Sequence, residues 1–227
     1  MSNTVNNVEL TLPSKRVVRA ALAEPADARA PGLILIHEWW GLNDEMREVA
    51  KKMAGHGYRA LAVDLYEGEA ASEPARAKEL MSAMDPEKSR ETLVAWAQWL
   101  RNAPSSNGKV GALGYCMGGA WALNTSLATP IDATVVYYGN VKKDAAALAS
   151  LHGPVQGHFG KRDQAITVEM AQGFEAALKS AGKPGTIHIY DADHAFSRVG
   201  GPNFDAAAAA LAEQRTLEFL STHLLDK

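Results

Sequence analysis

The sequence predicts an α/β fold, a mostly parallel eight-stranded sheet flanked by helices, and three observations support this. Short apolar runs rich in Val, Ile, Leu and aromatics alternate with longer segments of helical period. The later runs are near-continuously apolar, as strands covered on both faces are. No repeat, Ser/Gly/Pro tract or charge block interrupts the 227 residues, so one domain over 1–227, without a large lid, is expected. A domain of that size buries roughly 70–75% of its unfolded surface, which is core enough to need no staples.

The elements follow in order. Residues 8–12 and 16–23 flank Pro13-Ser14-Lys15 and read as a hairpin at one sheet edge. Six further strands are expected at 33–36, 58–63, 109–113, 133–138, 155–159 and 186–190, each bounded by Gly, Pro or Asp. Asn43 can cap a helix running to about Ala54, with Gly55 and Gly57 stopping it. Ser72 before Glu73-Pro74 reads as a cap followed by a first-turn proline. Asp85-Pro86 repeats the signal and opens a helix to about Arg101, with Leu93, Trp96, Trp99 and Leu100 along one side. A helix from Thr167 to Ala181 places Ile166, Met170, Phe174 and Leu178 at steps of four, and Gly182 ends it. The last helix starts near Asn203, and its alanine run, 206–210, reads as helix propensity. The stretch 65–104 holds helices without a strand and is expected to cover one sheet edge.

Composition removes several functional classes. Twenty-three basic against 26 acidic residues leave a net charge of −3, which suggests neither nucleic acid nor an anionic membrane as partner. One cysteine excludes an intramolecular disulfide, a four-thiolate zinc site and a C-x-x-C redox pair. His152 with His158, or His37 with Glu38, falls short of a ligand set, so no metal and no cofactor are expected. Residues 1–10 carry neither a basic n-region nor an apolar h-region, and no apolar run approaches ~18–20 residues. A reduced, cytoplasmic protein is the expectation. The oligomeric state is not written in the sequence, and a monomer is compatible with it.

The chemistry begins at the single thiol. Val110-Gly111-Ala112-Leu113 runs as a strand into Gly114-Tyr115-Cys116-Met117-Gly118 and then into an Ala- and Leu-rich helix. This is a nucleophile elbow with cysteine in the place where serine is commoner. Side chains at the flanking glycines would collide with the neighbouring strand and helix of so sharp a turn. The helix N-terminus behind Cys116 favours a thiolate, and the Met117 N–H becomes an oxyanion donor. A lone cysteine is otherwise a small buried hydrophobe. With 19 glycines in 227 residues, two flanking glycines arise by chance in roughly 0.7% of cases, which weighs for the elbow.

An elbow calls for an acid and then a histidine after later strands. Asp163 follows the strand at 155–159 within Gly160-Lys161-Arg162-Asp163, and His194 follows the strand at 186–190. Strand ends in an open α/β sheet share one crevice, so these loops can converge. His194 would take the thiol proton while Asp163 fixes its tautomer. Taken singly, Asp163 also reads as an Asx-turn residue and His194 as a loop histidine. Asp191 and Asp193 are rival acids, better placed to shape the histidine's turn. The loop His37-Glu38-Trp39-Trp40-Gly41 leaves a buried strand, and Trp39 is positioned to give the second oxyanion N–H. Glu38 beside a thiol would hold it protonated or accept its proton, since neighbouring charge decides a thiol's resting form.

These residues resemble the dienelactone hydrolase (carboxymethylenebutenolidase) family of the α/β-hydrolase superfamily. The likeness is carried by the HEWWGLND loop, Val63-Asp64-Leu65-Tyr66, the Gly114-Tyr115-Cys116-Met117-Gly118-Gly119 elbow, Tyr137-Tyr138-Gly139 and His194-Ala195-Phe196-Ser197-Arg198. It spans almost the whole chain. The resemblance implies a cofactor-free hydrolase with a Cys116–His194–Asp163 triad and Glu38 contacting the thiol before substrate arrives. In the family a dienelactone is opened to maleylacetate during chlorinated catechol degradation, and two arginines bind its carboxylate. One falls on Arg198; Arg76 stands about two positions from where the other belongs. Trp40 and Trp39 are candidates to line the pocket, whereas Tyr138 reads as apolar core. Two alternatives stay open: the same triad acting on other small esters or thioesters, and a non-catalytic thiol sensor or binding protein on this fold.

Overall fold

Alternating apolar runs become one eight-stranded sheet in the order β1-β2-β4-β3-β5-β6-β7-β8. The computed structural model describes residues 4–27 and 29–226; Met1, Ser2 and Asn3 of the N-terminal segment lie outside the described residues. The strands are β1 (Val5–Thr11), β2 (Val17–Ala23), β3 (Ala30–Ile36), β4 (Arg59–Val63), β5 (Ser106–Tyr115), β6 (Ala133–Tyr137), β7 (Val155–Gly160) and β8 (Gly185–Tyr190). The expected hairpin is present: β1 pairs antiparallel with β2 at the edge, and β2 pairs antiparallel with β4. From β4 to β8 every pairing is parallel. All residues of β3, β4, β6 and β7 are buried, as expected of strands covered on both faces.

The helices are α1 (Asp44–Gly55), α2 (Pro74–Ala83), α3 (Pro86–Asn102), α4 (Met117–Ala128), α5 (Ala145–Leu148), α6 (Val168–Ser180) and α7 (Ala206–Leu224). Asn43, Asp85, Thr167 and Asp205 cap α1, α3, α6 and α7, each accepting from a backbone N–H of the first turn. Two starts move from their expected places. Glu73 rather than Ser72 takes the cap position of α2, without a side-chain bond, because Pro74 sets the first turn by itself. The last helix begins at Ala206, three residues past Asn203. One element, α5, has a single turn and left no periodic trace.

One sheet face packs α1 and α7 around Leu33, Leu35, Leu113 and Tyr137. The opposite face packs α3 and α4 around Ile34, Ile36, Val110 and Ala112. The expectation that 65–104 covers a sheet edge is not met by α2 either, whose Ala77 and Leu80 pack with Tyr66, Trp39, Trp40 and Met117 at the strand-end loops. Helix α3 lies on the central strands β3 and β5, and Leu100 comes so close to Gly32 that a side chain there would meet its Cβ at 2.7 Å. Wherever the strands are parallel their C-terminal ends share one side of the sheet. The loops after β3, β5, β7 and β8 therefore meet there.

Candidate active site

Cys116 stands between β5 and α4 with φ 53° and ψ −117°, a left-handed conformation that side chains avoid. Packing enforces it. A Cβ at Gly114 would overlap the Gly118 carbonyl, and one at Gly118 would overlap the carbonyls of Ile36 and His37. The Gly-x-Cys-x-Gly spacing thus has the steric cause expected of it.

The three strand-end loops bring Cys116, His194 and Asp163 together. His194 Nε2 lies 3.2 Å from Cys116 Sγ, and Nδ1 lies 2.6 Å from Asp163 Oδ2. Asp163 is 4% exposed, and its other oxygen accepts from the N–H groups of Ala165 and Ile166. The Asx turn and the histidine partner are therefore one arrangement, each using one oxygen. Burial works to raise the Asp163 carboxyl, but the bonds from His194, Ile166 and Ala165 outweigh it and hold it below its ordinary range. Burial likewise opposes a charge on His194. The bonds to Asp163 and Cys116 prevail and hold the imidazole up to about 10. Asp191 and Asp193 stand apart from the ring, both paired to Arg162, which links the loops after β7 and β8.

The loop after β3 supplies Glu38, Trp39 and Trp40. Among the described residues, neither the Trp39 nor the Met117 backbone N–H donates to a protein acceptor. Glu38 is nearly buried. Tyr138 Oη donates to it at 3.2 Å, and Arg198 Nε stands 3.8 Å away. Burial pushes its carboxyl up to about 7, against the pull of Arg198. The partner of the thiol is thus His194, whereas Glu38 is tied to Tyr138 and Arg198. Arg198 lies 4.5 Å over the Trp40 ring and pairs with Glu45 at 3.3 Å. Glu38, Trp40, Tyr138, Ser197 and Arg198 help to line a cavity of about 740 Å³ between α1 and α7.

The dienelactone hydrolase family model matches residues 18–224. The chain belongs to the dienelactone hydrolase family. Carboxymethylenebutenolidase 1 of Cupriavidus pinatubonensis is 30% identical over 226 residues, 95% of this chain and 96% of that protein. The carboxymethylenebutenolidase of Pseudomonas putida is 33% identical over 213 residues, 89% and 90% of the two chains. Among solved structures, a dienelactone hydrolase-like promiscuous phosphotriesterase from metagenomic libraries superposes with a TM-score of 0.88. It covers 99% of this chain and all of that one at 22% identity, a likeness of fold.

Not every residue suggested by the dienelactone hydrolase resemblance joins the site. Arg76 does not: it lies on the exposed face of α2, pairing with Glu69 and with Glu79 at 2.9 Å. With α2 starting at Pro74, its side chain turns to solvent and to carboxylates rather than to the cavity. Tyr138 is buried, but its hydroxyl serves Glu38 and shares a 2.8 Å bond with Ser197, so it is more than apolar core. Sequence reasoning gave no role to His37 or Tyr66. His37 Nδ1–H donates to the Glu38 carbonyl at 2.5 Å, while Nε2 accepts from the Leu65 N–H at 3.3 Å. Burial pushes its imidazole down to about 4, keeping it neutral. Tyr66 Oη donates to the Trp39 carbonyl at 3.1 Å and lies 3.6 Å from Met117 Sδ. Their signal was a buried polar residue at a strand end, visible in the HEWW and VDLY segments only as resemblance.

Proposed function

We propose that this protein is a thiol hydrolase of small esters and lactones, working through a Cys116–His194–Asp163 triad. The observation that carries the reading is the unbroken chain from Asp163 through His194 to the sulfur of a strained strand-to-helix turn. The names of the curated relatives support the reaction class.

In this reading the thiol proton already rests on His194 Nε2, as the raised imidazole favours, and the sulfur attacks the carbonyl carbon of the ester as a thiolate. The developing oxyanion takes the Trp39 and Met117 N–H groups, which have no protein acceptor to give up. When the tetrahedral intermediate collapses, the carbon–oxygen bond breaks and His194 returns the proton to the leaving alkoxide. For a lactone the alcohol stays attached to the acyl group. Water then attacks the thioester with His194 as base, releasing a carboxylate and regenerating the thiol. Asp163 keeps Nδ1 protonated, so Nε2 is the atom that turns over protons. Tyr66 and His37 hold the two carbonyls that flank the Trp39 N–H.

Two substrate readings follow. A carboxylate-bearing dienelactone, as the relatives' names suggest, would use Arg198 as its anchor through a bidentate pair. One observation favours uncharged esters instead: Arg198 is already held by Glu45 and faces Glu38, and Arg76 stands outside the cavity. The test of the function is hydrolysis of 4-nitrophenyl acetate by the wild type and by Cys116→Ala. Loss of at least about a thousandfold in kcat/KM with an unchanged circular dichroism spectrum is expected. Turnover retained in the folded variant would overturn the mechanism.

A further inference from the structure

The alanine run of α7 reads from sequence as helix propensity, yet Ala206, Ala209 and Ala210 face the cavity between α1 and α7. Their small side chains stand opposite Met46, Val49 and Met53 of α1, and the volume left between the helices is about 740 Å³. That is within the range of small-molecule sites, roughly 300–1,000 Å³. A lactone of about ten heavy atoms, at the ~30 Å³ each that water claims in the liquid, would fill under half of it.

Two features connect this space to the reaction centre. Glu38, Tyr138, Ser197 and Arg198 belong to the wall of this space. Glu38 immediately precedes the oxyanion residue Trp39, and the Tyr138 ring packs 5.2 Å from that of His194. Glu38 and Tyr138 therefore belong both to the cavity wall and to the surroundings of the reaction centre. Arg198, in the same wall, is held by the Trp40 ring, by Glu38 at 3.8 Å and by a partly exposed ion pair to Glu45, the last being cheap to rearrange. The wall also includes Val199, 72% exposed, and Phe204, 40% exposed, where the cavity meets solvent.

Charge selects the occupant. Four carboxylates, Glu38, Glu45, Glu48 and Glu213, line the space against two cations. Lys52 pairs with Glu213 at 2.5 Å, and both Glu38 and Glu45 flank Arg198, so the wall stays net acidic even when Arg198 leaves Glu45. An anionic tail would meet a net acidic wall, whereas an uncharged hydrocarbon chain would bury its surface against Met46, Met53, Leu217 and the Tyr115 ring.

We propose that the α1–α7 cavity is the acyl-chain subsite of this hydrolase, and that its substrates are uncharged esters or lactones with an apolar chain of about eight carbons. The inference rests on the ester-hydrolase reading above and names the substrate class for it. Passage of the chain requires Arg198 to swing from Glu45, and the small residues of α7 give the chain its room.

The test is the kcat/KM series for 4-nitrophenyl acetate, butyrate and octanoate, in the wild type and in two cavity-filling variants, Ala209→Phe and Ala210→Phe. Ala210 is exposed on the helix, so its variant keeps the fold even if Ala209→Phe does not. Six methylenes separate acetate from octanoate and each buried one is worth roughly a three- to fourfold gain, so wild type should prefer octanoate to acetate by at least about a hundredfold. Either folded variant should lower that ratio by about tenfold. Methyl octanoate should bind Cys116→Ala in calorimetry and bind more weakly once Ala210→Phe is added. A flat series with acetate hydrolysed, or an unchanged ratio in the folded variants, overturns the subsite and leaves the hydrolase reading standing. Absence of turnover on every ester overturns both.

Discussion

Glu38 puts a carboxylate where water barely reaches, beside one guanidinium and one phenol, and its carboxyl is driven from its ordinary 4.5 to about 7. Between those values the folded protein holds a proton that the unfolded chain has released. Stability contributed by this group therefore falls as pH rises from about 4.5 and levels off above 7. The difference amounts to about 3 kcal/mol. Urea unfolding of wild type and Glu38→Gln at pH 5 and pH 8 checks it, because the variant should gain on wild type by that amount at the higher pH. An equal gap at both values would show that the carboxyl titrates in its ordinary range. His37, held neutral by burial, has the opposite sign and contributes equally to both proteins. At this scale the sequence was legible where a motif carried the residue: Cys116 by its glycines, Asp163 and His194 by their order after strands. It was not legible where a role depends on distant partners. Glu38 takes its character from Tyr138, a hundred positions away, and Arg198 from Glu45, 153 positions away.

At the scale of elements, the elbow is the tightest joint in the molecule. Gly118 begins the first turn of α4 where that helix passes the carbonyls that end β3, and neither backbone can yield without moving a central strand. Gly118→Ala is expected to cost more than about 3 kcal/mol, read as a shift in the urea midpoint or as loss of soluble protein. A variant within about 0.5 kcal/mol of wild type would contradict the packing argument. Most elements were readable because caps and prolines are local signals. Asp85-Pro86 fixed the start of α3 and Thr167 that of α6. Where α3 lies was not readable, since its apolar side with Leu93, Trp96 and Leu100 suits a sheet edge or a sheet face equally. The close approach at Gly32 decides between them, and that is a tertiary fact. The alanines of α7 likewise satisfy helix propensity while leaving a cavity that only the neighbouring helix defines.

For the molecule as a whole, topology assembles the site. Parallel strands β3, β5, β7 and β8 deliver a loop each to one side of the sheet, so residues 38, 116, 163 and 194 meet although 156 positions separate the first from the last. The family match over residues 18–224 fits that picture, for strands β3 to β8 and the loops that carry these residues lie within it. No helix among the described residues is long and apolar enough to cross a membrane. Under the proposed function Cys116 forms a thioester with the acyl group of its substrate. Mixing the protein with excess 4-nitrophenyl acetate, quenching in acid during the first turnover and mapping the peptides by mass spectrometry tests it most directly. The account predicts one added acetyl group on the peptide containing Cys116, lost again on longer incubation at neutral pH. Rapid release of nitrophenol with no acyl adduct on Cys116, or with the adduct on another residue, would contradict it.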